Sequence, residues 1–130
     1  MKQELGWLAA GGLAGTFARY FLTGWMTKTI PTFFPVGTLT VNAIGCFLIG
    51  LFVAMAEQKG MSFSVKLLLI TGFCGAFTTF SSLIFESWYL VRQHGFMPAF
   101  WNIGLSLFAG FILFGIGFWA GKFSGMNLSS

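Results

Sequence analysis

Four apolar stretches of roughly twenty residues each make up most of this chain, and each is long enough to cross the ~30 Å hydrocarbon core of a bilayer. They run over 5–26, 36–56, 67–91 and 96–121. The connecting segments 27–35, 57–66 and 92–95 carry Pro31, Pro35, Lys28, Lys59, Lys66 and Arg92. Connections this short make successive helices antiparallel neighbours. The expected architecture is an all-α membrane protein: one domain over 1–130 with four transmembrane helices. Lys2 ahead of an apolar run looks like a signal peptide, but the run continues past Arg19 and three more follow, so a retained helix is expected. Residues 124–130 read as a short polar tail.

Composition excludes most alternatives. Hydrophobic residues are 56% of the chain and charged residues 8%, where a soluble domain carries about 25%. Eighteen glycines fit helices whose backbones approach closely, and eighteen phenylalanines fill the volume left and face lipid. No basic run could track a phosphate backbone, so nucleic acid is not an expected partner. Cys46 and Cys74 both lie in apolar stretches with no Cys/His cluster beside them, and read as small buried hydrophobes. The spacings Gly11-x-x-x-Gly15 and Gly117-x-x-x-Gly121 are weak signs of helix contact in a chain so rich in glycine.

Orientation is nearly balanced. With the N-terminus inside, Lys2, Lys59, Lys66 and Lys122 are inside while Lys28 and Arg92 are outside. Such a bias is small under the positive-inside rule. It is compatible with an ordinary N-in protein, and also with insertion both ways up and an antiparallel pair.

Polar side chains inside the bilayer are costly, so each calls for a reason. Arg19 either snorkels or pairs with an acid such as Glu86, or else makes an electropositive vestibule that attracts anions. Asn42 either joins helices by hydrogen bonds or offers amide donors to a dehydrating anion. The segment Thr71-Gly72-Phe73-Cys74-Gly75-Ala76-Phe77-Thr78-Thr79-Phe80-Ser81-Ser82 concentrates glycines and hydroxyls in the middle of the third stretch. A broken helix is expected there, since irregular backbone is tolerated where it is buried in protein or lines a cavity. The alternative is an intact helix whose Ser and Thr bond to the preceding turn. Asn102, Ser106 and Gly110 recur every four residues and share one face, read as a packing seam more than a conduit.

Taken together, Gly37-Thr38-Leu39-Thr40-Val41-Asn42, the third-stretch motif Thr71 to Ser81, and Gly11-Gly12-x-x-Gly15-x-x-x-Arg19 resemble the Fluc (CrcB-type) fluoride channels. The resemblance covers essentially the whole chain. It implies an antiparallel dual-topology dimer in the cell inner (plasma) membrane, with two fluoride pathways and a central structural sodium ion. By likeness, the carbonyls of Gly75 and Thr78 from both subunits hold that ion, and Arg19 contributes to the vestibule. Asn42, Phe80, Ser81, Ser82, Leu83 and Ser106 then mark the fluoride pathway, with Phe80 offering its positive ring edge. The implied activity is passive export of cytoplasmic fluoride, which lowers its toxicity. Neutral hydrogen fluoride enters, ionises inside, and the inside-negative potential drives the anion out.

Two features depart from the family pattern. Its usual Phe-Ser-Thr-Phe-Ser run is Phe80-Ser81-Ser82-Leu83-Ile84 here, so Leu83 stands where a second pore phenylalanine is expected. Of the usual fourth-helix hydroxyls Ser106 remains, while Gly110 and Phe114 occupy the other positions. The chain is therefore either a self-sufficient homodimer subunit or an incomplete subunit that conducts only with a related chain. A proton-coupled drug exporter would need a membrane-embedded carboxylate, and Glu4, Glu57 and Glu86 are all expected near span ends. No nucleophile or acid–base constellation is visible, so the chain is not expected to be an enzyme.

Overall fold

The computed structural model describes residues 1–126, so the end of the expected polar tail, 127–130, lies outside the described residues. Every regular element among them is helical: α1 (Lys2–Thr29), α2 (Val36–Lys59), α3 (Phe63–Lys66), a π-helical stretch (Leu67–Cys74), α4 (Gly75–Phe77), α5 (Phe80–His94) and α6 (Phe96–Met126). Three runs are long and apolar enough to cross a membrane: Val36–Lys59, Phe63–His94 and Phe96–Ser124. α1 has the length but is not among them, because Arg19, Lys28 and its glycines and threonines dilute its hydropathy.

Local chemistry explains where these helices stop. Gly60 ends α2 in the left-handed region at φ 62°, where a side chain would be strained. Gly95 at φ 88° separates α5 from α6. Pro98 then falls in the first turn of α6, where its missing N–H has no intrahelical acceptor to lose. Ser62 opens α3 by accepting the Val65 N–H at 3.4 Å. The His94 ring at the end of α5 stacks on Phe33 with centroids 4.4 Å apart, joining the 30–35 segment to that helix.

Between Phe77 and Phe80 the backbone leaves helical geometry. Thr78 (φ −81°, ψ 156°) and Thr79 (φ −149°, ψ 112°) are extended. The turn before them is wound loosely, with the Gly75 N–H reaching the Ile70 carbonyl five residues back.

Glycines set how the helices pack. α1 lies against the π-helical stretch and α4, and α2 lies against α6. A Cβ at Gly11 would run into the Leu68 carbonyl oxygen and one at Gly15 into that of Phe73. Across the other interface, a Cβ at Gly50 would meet the Phe114 carbonyl oxygen, and one at Gly117 that of Phe47. Both small-residue spacings that the sequence only hinted at are therefore backbone-to-backbone contacts, with Gly11, Gly15, Gly117 and Gly121 all buried. Such contact replaces the hydrophobic drive that lipid removes. At Gly11, Gly15, Gly50 and Gly117 the obstacle is main chain, which cannot turn aside as a flexible side chain would. Gly117→Ala is therefore expected to destabilise the fold by about 1–3 kcal/mol, read as lower resistance to unfolding in detergent. Gly104→Ala, with open space where its Cβ would stand, is expected to show no such loss.

Candidate functional site

The two extended residues need partners for their main-chain groups, and Asn42 supplies them. The Thr79 N–H donates to Asn42 Oδ1 at 2.7 Å, and Asn42 Nδ2 donates to the Thr79 carbonyl at 3.1 Å. The pair also settles the amide's orientation, because an N–H must face the oxygen and a carbonyl must face the nitrogen. Thr79 then starts α5 as its N-cap, its Oγ1 accepting the Ser82 N–H at 3.2 Å. Its hydroxyl also lies 3.1 Å from Ser82 Oγ and 3.3 Å from Ser81 Oγ. Thr78 bonds backwards, with both N–H and hydroxyl donating to the Cys74 carbonyl at 3.0 and 2.9 Å.

This arrangement leaves oxygen acceptors at the end of α4. The Gly75 carbonyl would receive the Thr79 N–H in a continuous helix, but that donor is engaged by Asn42. Gly75 itself is exposed at the chain surface. Gly75 and Thr78 line one cavity of about 300 Å³, together with Asn42, Phe80, Leu83 and Ser106.

A second, wider cavity of about 790 Å³ opens on the other side of Thr79, lined by Arg19, Lys28, Thr38, Ser82 and Glu86 among others. Among the described residues no ion pair joins Arg19 to Glu86. Glu86 instead accepts the Thr38 hydroxyl on Oε1 at 2.6 Å, while its Oε2 and the Arg19 Nε are buried without a partner among the described residues. Both cationic side chains thus border this cavity with their charges uncompensated by direct pairing.

The structure brings some of the expected site residues together and separates others. Asn42, Gly75, Thr78, Phe80, Leu83 and Ser106 share the smaller cavity; Arg19 and Ser82 share the larger one. Thr79, which carried no expected role, borders both and is the hinge between them. Ser81 is exposed and borders neither. Phe80 is 71% exposed, so its ring faces outward from the chain as much as inward, whereas Leu83 is 4% exposed and packed. Glu86, expected near a span end, lies mid-way along α5, the second half of the run Phe63–His94, and is half-buried. Sequence reasoning also missed Ser87, whose hydroxyl donates to the Leu83 carbonyl at 2.7 Å and accepts from buried Asn102 at 2.9 Å. The Thr38–Glu86 and Ser87–Asn102 pairs join different helices, and nothing in the linear order announces them.

The family model described as "CrcB-like protein, Camphor Resistance (CrcB)" matches residues 6–118. The chain belongs to the CrcB family. It is 44% identical over 112 residues to a "Fluoride-specific ion channel FluC" of Solidesulfovibrio magneticus, covering 85% of this chain and 90% of that one. A protein of the same description from Maridesulfovibrio salexigens is 42% identical over 106 residues (81% and 84% of the two chains). One from Nitrosococcus oceani is 40% identical over 100 residues (76% and 80%). Family membership, and not the placement of its acids, removes the drug-exporter reading.

In this CrcB chain the Asn42 amide answers two main-chain groups that have no other partner. Asn42→Ala leaves both unpaired, and stability is expected to fall by about 1–3 kcal/mol, measured by thermal unfolding in detergent. Thr40→Ala on the same helix, whose hydroxyl only bonds back to the Val36 carbonyl, is expected to stay close to wild type.

Proposed function

We propose that this chain is a passive, fluoride-selective ion channel of the plasma membrane that lets cytoplasmic fluoride leave the cell. The observation that carries the reading is the pair of cavities meeting at the extended Thr78–Thr79 segment, one bordered by Arg19 and Lys28 as well as Glu86, the other by neutral donors. The relatives' description as fluoride-specific channels supplies the identity of the anion.

The chemistry is set by fluoride's size. A small, strongly hydrated anion crosses only where donors replace its water, and a bare apolar tube rejects it. Arg19 and Lys28 raise the local anion concentration in the wider cavity. Ser82, at that cavity's inner side, offers a hydroxyl. Beyond Thr79, Asn42 has one amide hydrogen left after serving the Thr79 carbonyl, since its NH₂ carries two. Ser106 adds a hydroxyl, and Phe80 its ring edge. Leu83 contributes only an apolar wall on this route. No step requires bond making, which agrees with a family of channels and not of enzymes.

The membrane arrangement is part of the same reading. α1 is the first of four spans: its 28 residues extend about 42 Å at 1.5 Å per residue, ample for the hydrocarbon core. Its Arg19 turns to the cavity and away from lipid. The run Phe63–His94 is the third span, interrupted at Thr78 and Thr79. Two copies insert antiparallel, consistent with the near balance of Lys and Arg across the membrane. The carbonyls of Gly75 and Thr78 suit a sodium ion, which takes oxygen ligands at unwound helix ends. Gly75 is exposed and its carbonyl lacks its helical donor, so the donor chemistry fits. One chain provides only two such oxygens, and an antiparallel copy would double them. The Gly75 and Thr78 carbonyls of both copies would hold such an ion, whose charge would tie the two subunits together.

Leu83 favours a second arrangement, in which this chain completes a channel with a related subunit that supplies the missing aromatic edge. Fluoride efflux from liposomes holding this chain alone decides between them. Rapid efflux is expected for the homodimer. Silence that a second family chain rescues would establish the paired form, and silence in both would sink the fluoride reading. Asn42→Asp puts a negative charge in the anion's path and is expected to abolish flux; undiminished flux in that variant would remove Asn42 from the pathway.

A further inference from the structure

Cys46 and Cys74 stand far apart in sequence, yet both line the narrower cavity of about 300 Å³ that also holds Asn42 and Ser106. A close approach of α2 brings them there. Gly45 has no side chain to hold α2 off the extended segment, and a Cβ at that position would run into Thr78 Cγ2. Cys46 follows Gly45 directly. Cys74 is one turn before Thr78, whose N–H and hydroxyl both donate to the Cys74 carbonyl. The Cys46 Sγ lies toward α6, 3.2 Å from where a Cβ at Gly110 would stand, so that glycine leaves the thiol its room. Both cysteines are free; Cys46 is partly exposed and Cys74 is buried.

Thiolates are soft ligands and select soft metal ions. Among the described residues no cluster of three or more His, Cys, Asp or Glu side chains surrounds these two. The four-ligand set of structural zinc is therefore absent among them, and the pair suits an ion that is satisfied by two thiolates in line. Charge then selects among such ions. The Asn42, Thr78 and Ser106 side chains on this wall are neutral, and holding a net charge there without a partner is costly. A monovalent cation between two thiolates leaves one negative charge, whereas a divalent one leaves none. We propose that Cys46 and Cys74 form a two-thiolate site for a soft divalent cation of the mercuric type, and that the bound ion closes the narrower cavity. The partly exposed Cys46 takes the ion first, and Cys74 completes the site. Two S–H bonds break, two metal–sulfur bonds form, and two protons leave to water; no electron changes hands. The site stands on the cavity and its two thiols, and only the closure rests on the fluoride-channel reading above.

The wild-type chain in detergent, titrated with mercuric chloride, is expected to hold one mercury per chain by intact mass, with both cysteines then protected from maleimide. Cys46→Ala and Cys74→Ala each keep one thiol. Each is expected to hold mercury against glutathione about a hundredfold less well, because the second thiol acts at high effective concentration. Retention equal to wild type in either variant overturns the site. So do two mercuries per wild-type chain, or mercury that joins two chains on a denaturing gel. Cys46→Ala alone carries the comparison if Cys74→Ala does not fold, since position 46 is partly exposed. In liposomes, wild-type fluoride efflux is expected to stop at one equivalent of mercury and to return with dithiothreitol. The variant lacking both thiols is expected to keep its own untreated rate. Bound mercury with undiminished wild-type efflux overturns the closure. A chain that carries no fluoride before mercury is added defeats the channel reading separately, and the mercury counts still decide the site.

Discussion

The reciprocal hydrogen bonds between Asn42 and Thr79 are the interaction on which the rest depends. Two consecutive residues with extended backbone release carbonyls and amides that a helix would have paired. In hydrocarbon each such group left unsatisfied costs several kcal/mol. Asn42 meets a donor and an acceptor on one residue, and the Thr79 hydroxyl caps the first turn of α5. With those groups answered, α5 can leave α4 at a new angle, and cavities open on both sides of the junction. The Gly75 carbonyl loses its helical donor as a direct consequence. Structural support and candidate chemistry therefore come from the same few atoms.

Around this junction the packing is dense where backbones meet and open at the two cavities. The α1 contact with the π-helical stretch and the α2 contact with α6 both rest on glycines pressed against carbonyl oxygens. Such contacts hold helices at short range with no help from hydrophobic drive, which lipid does not provide. They also keep the helices from shifting along one another, so Arg19 stays beside the wider cavity and Ser106 beside the narrower one. The polar pairs Thr38–Glu86 and Asn102–Ser87 tie α2 and α6 to α5, the element that begins at the junction.

Much of this was open to reading in the linear order. Long apolar runs with few charges specify membrane helices almost by elimination, and no strand occurs among the described residues. The glycine and hydroxyl pattern around Thr71–Ser82, joined to Asn42 and Arg19, was enough to identify the family. Other features were not legible. Nothing in the linear order shows that Glu86 meets Thr38 on α2. That Asn102 meets Ser87 was hidden too, because a hydropathy pattern does not reveal which polar atoms pair. Thr79 drew no attention among four neighbouring hydroxyls, since only its main chain distinguishes it.

By itself, then, the sequence determined the helical class, the membrane as solvent and the family, because each depends on composition and local spacing. Tertiary structure alone decided which polar groups meet. The Asn42–Thr79 clamp spans 37 positions and the Thr38–Glu86 bond 48. Pairings at such separations depend on how close the glycines let the helices come. The broken pattern of hydroxyls could suggest an irregular segment; only the approach of α2 shows how its exposed backbone is satisfied.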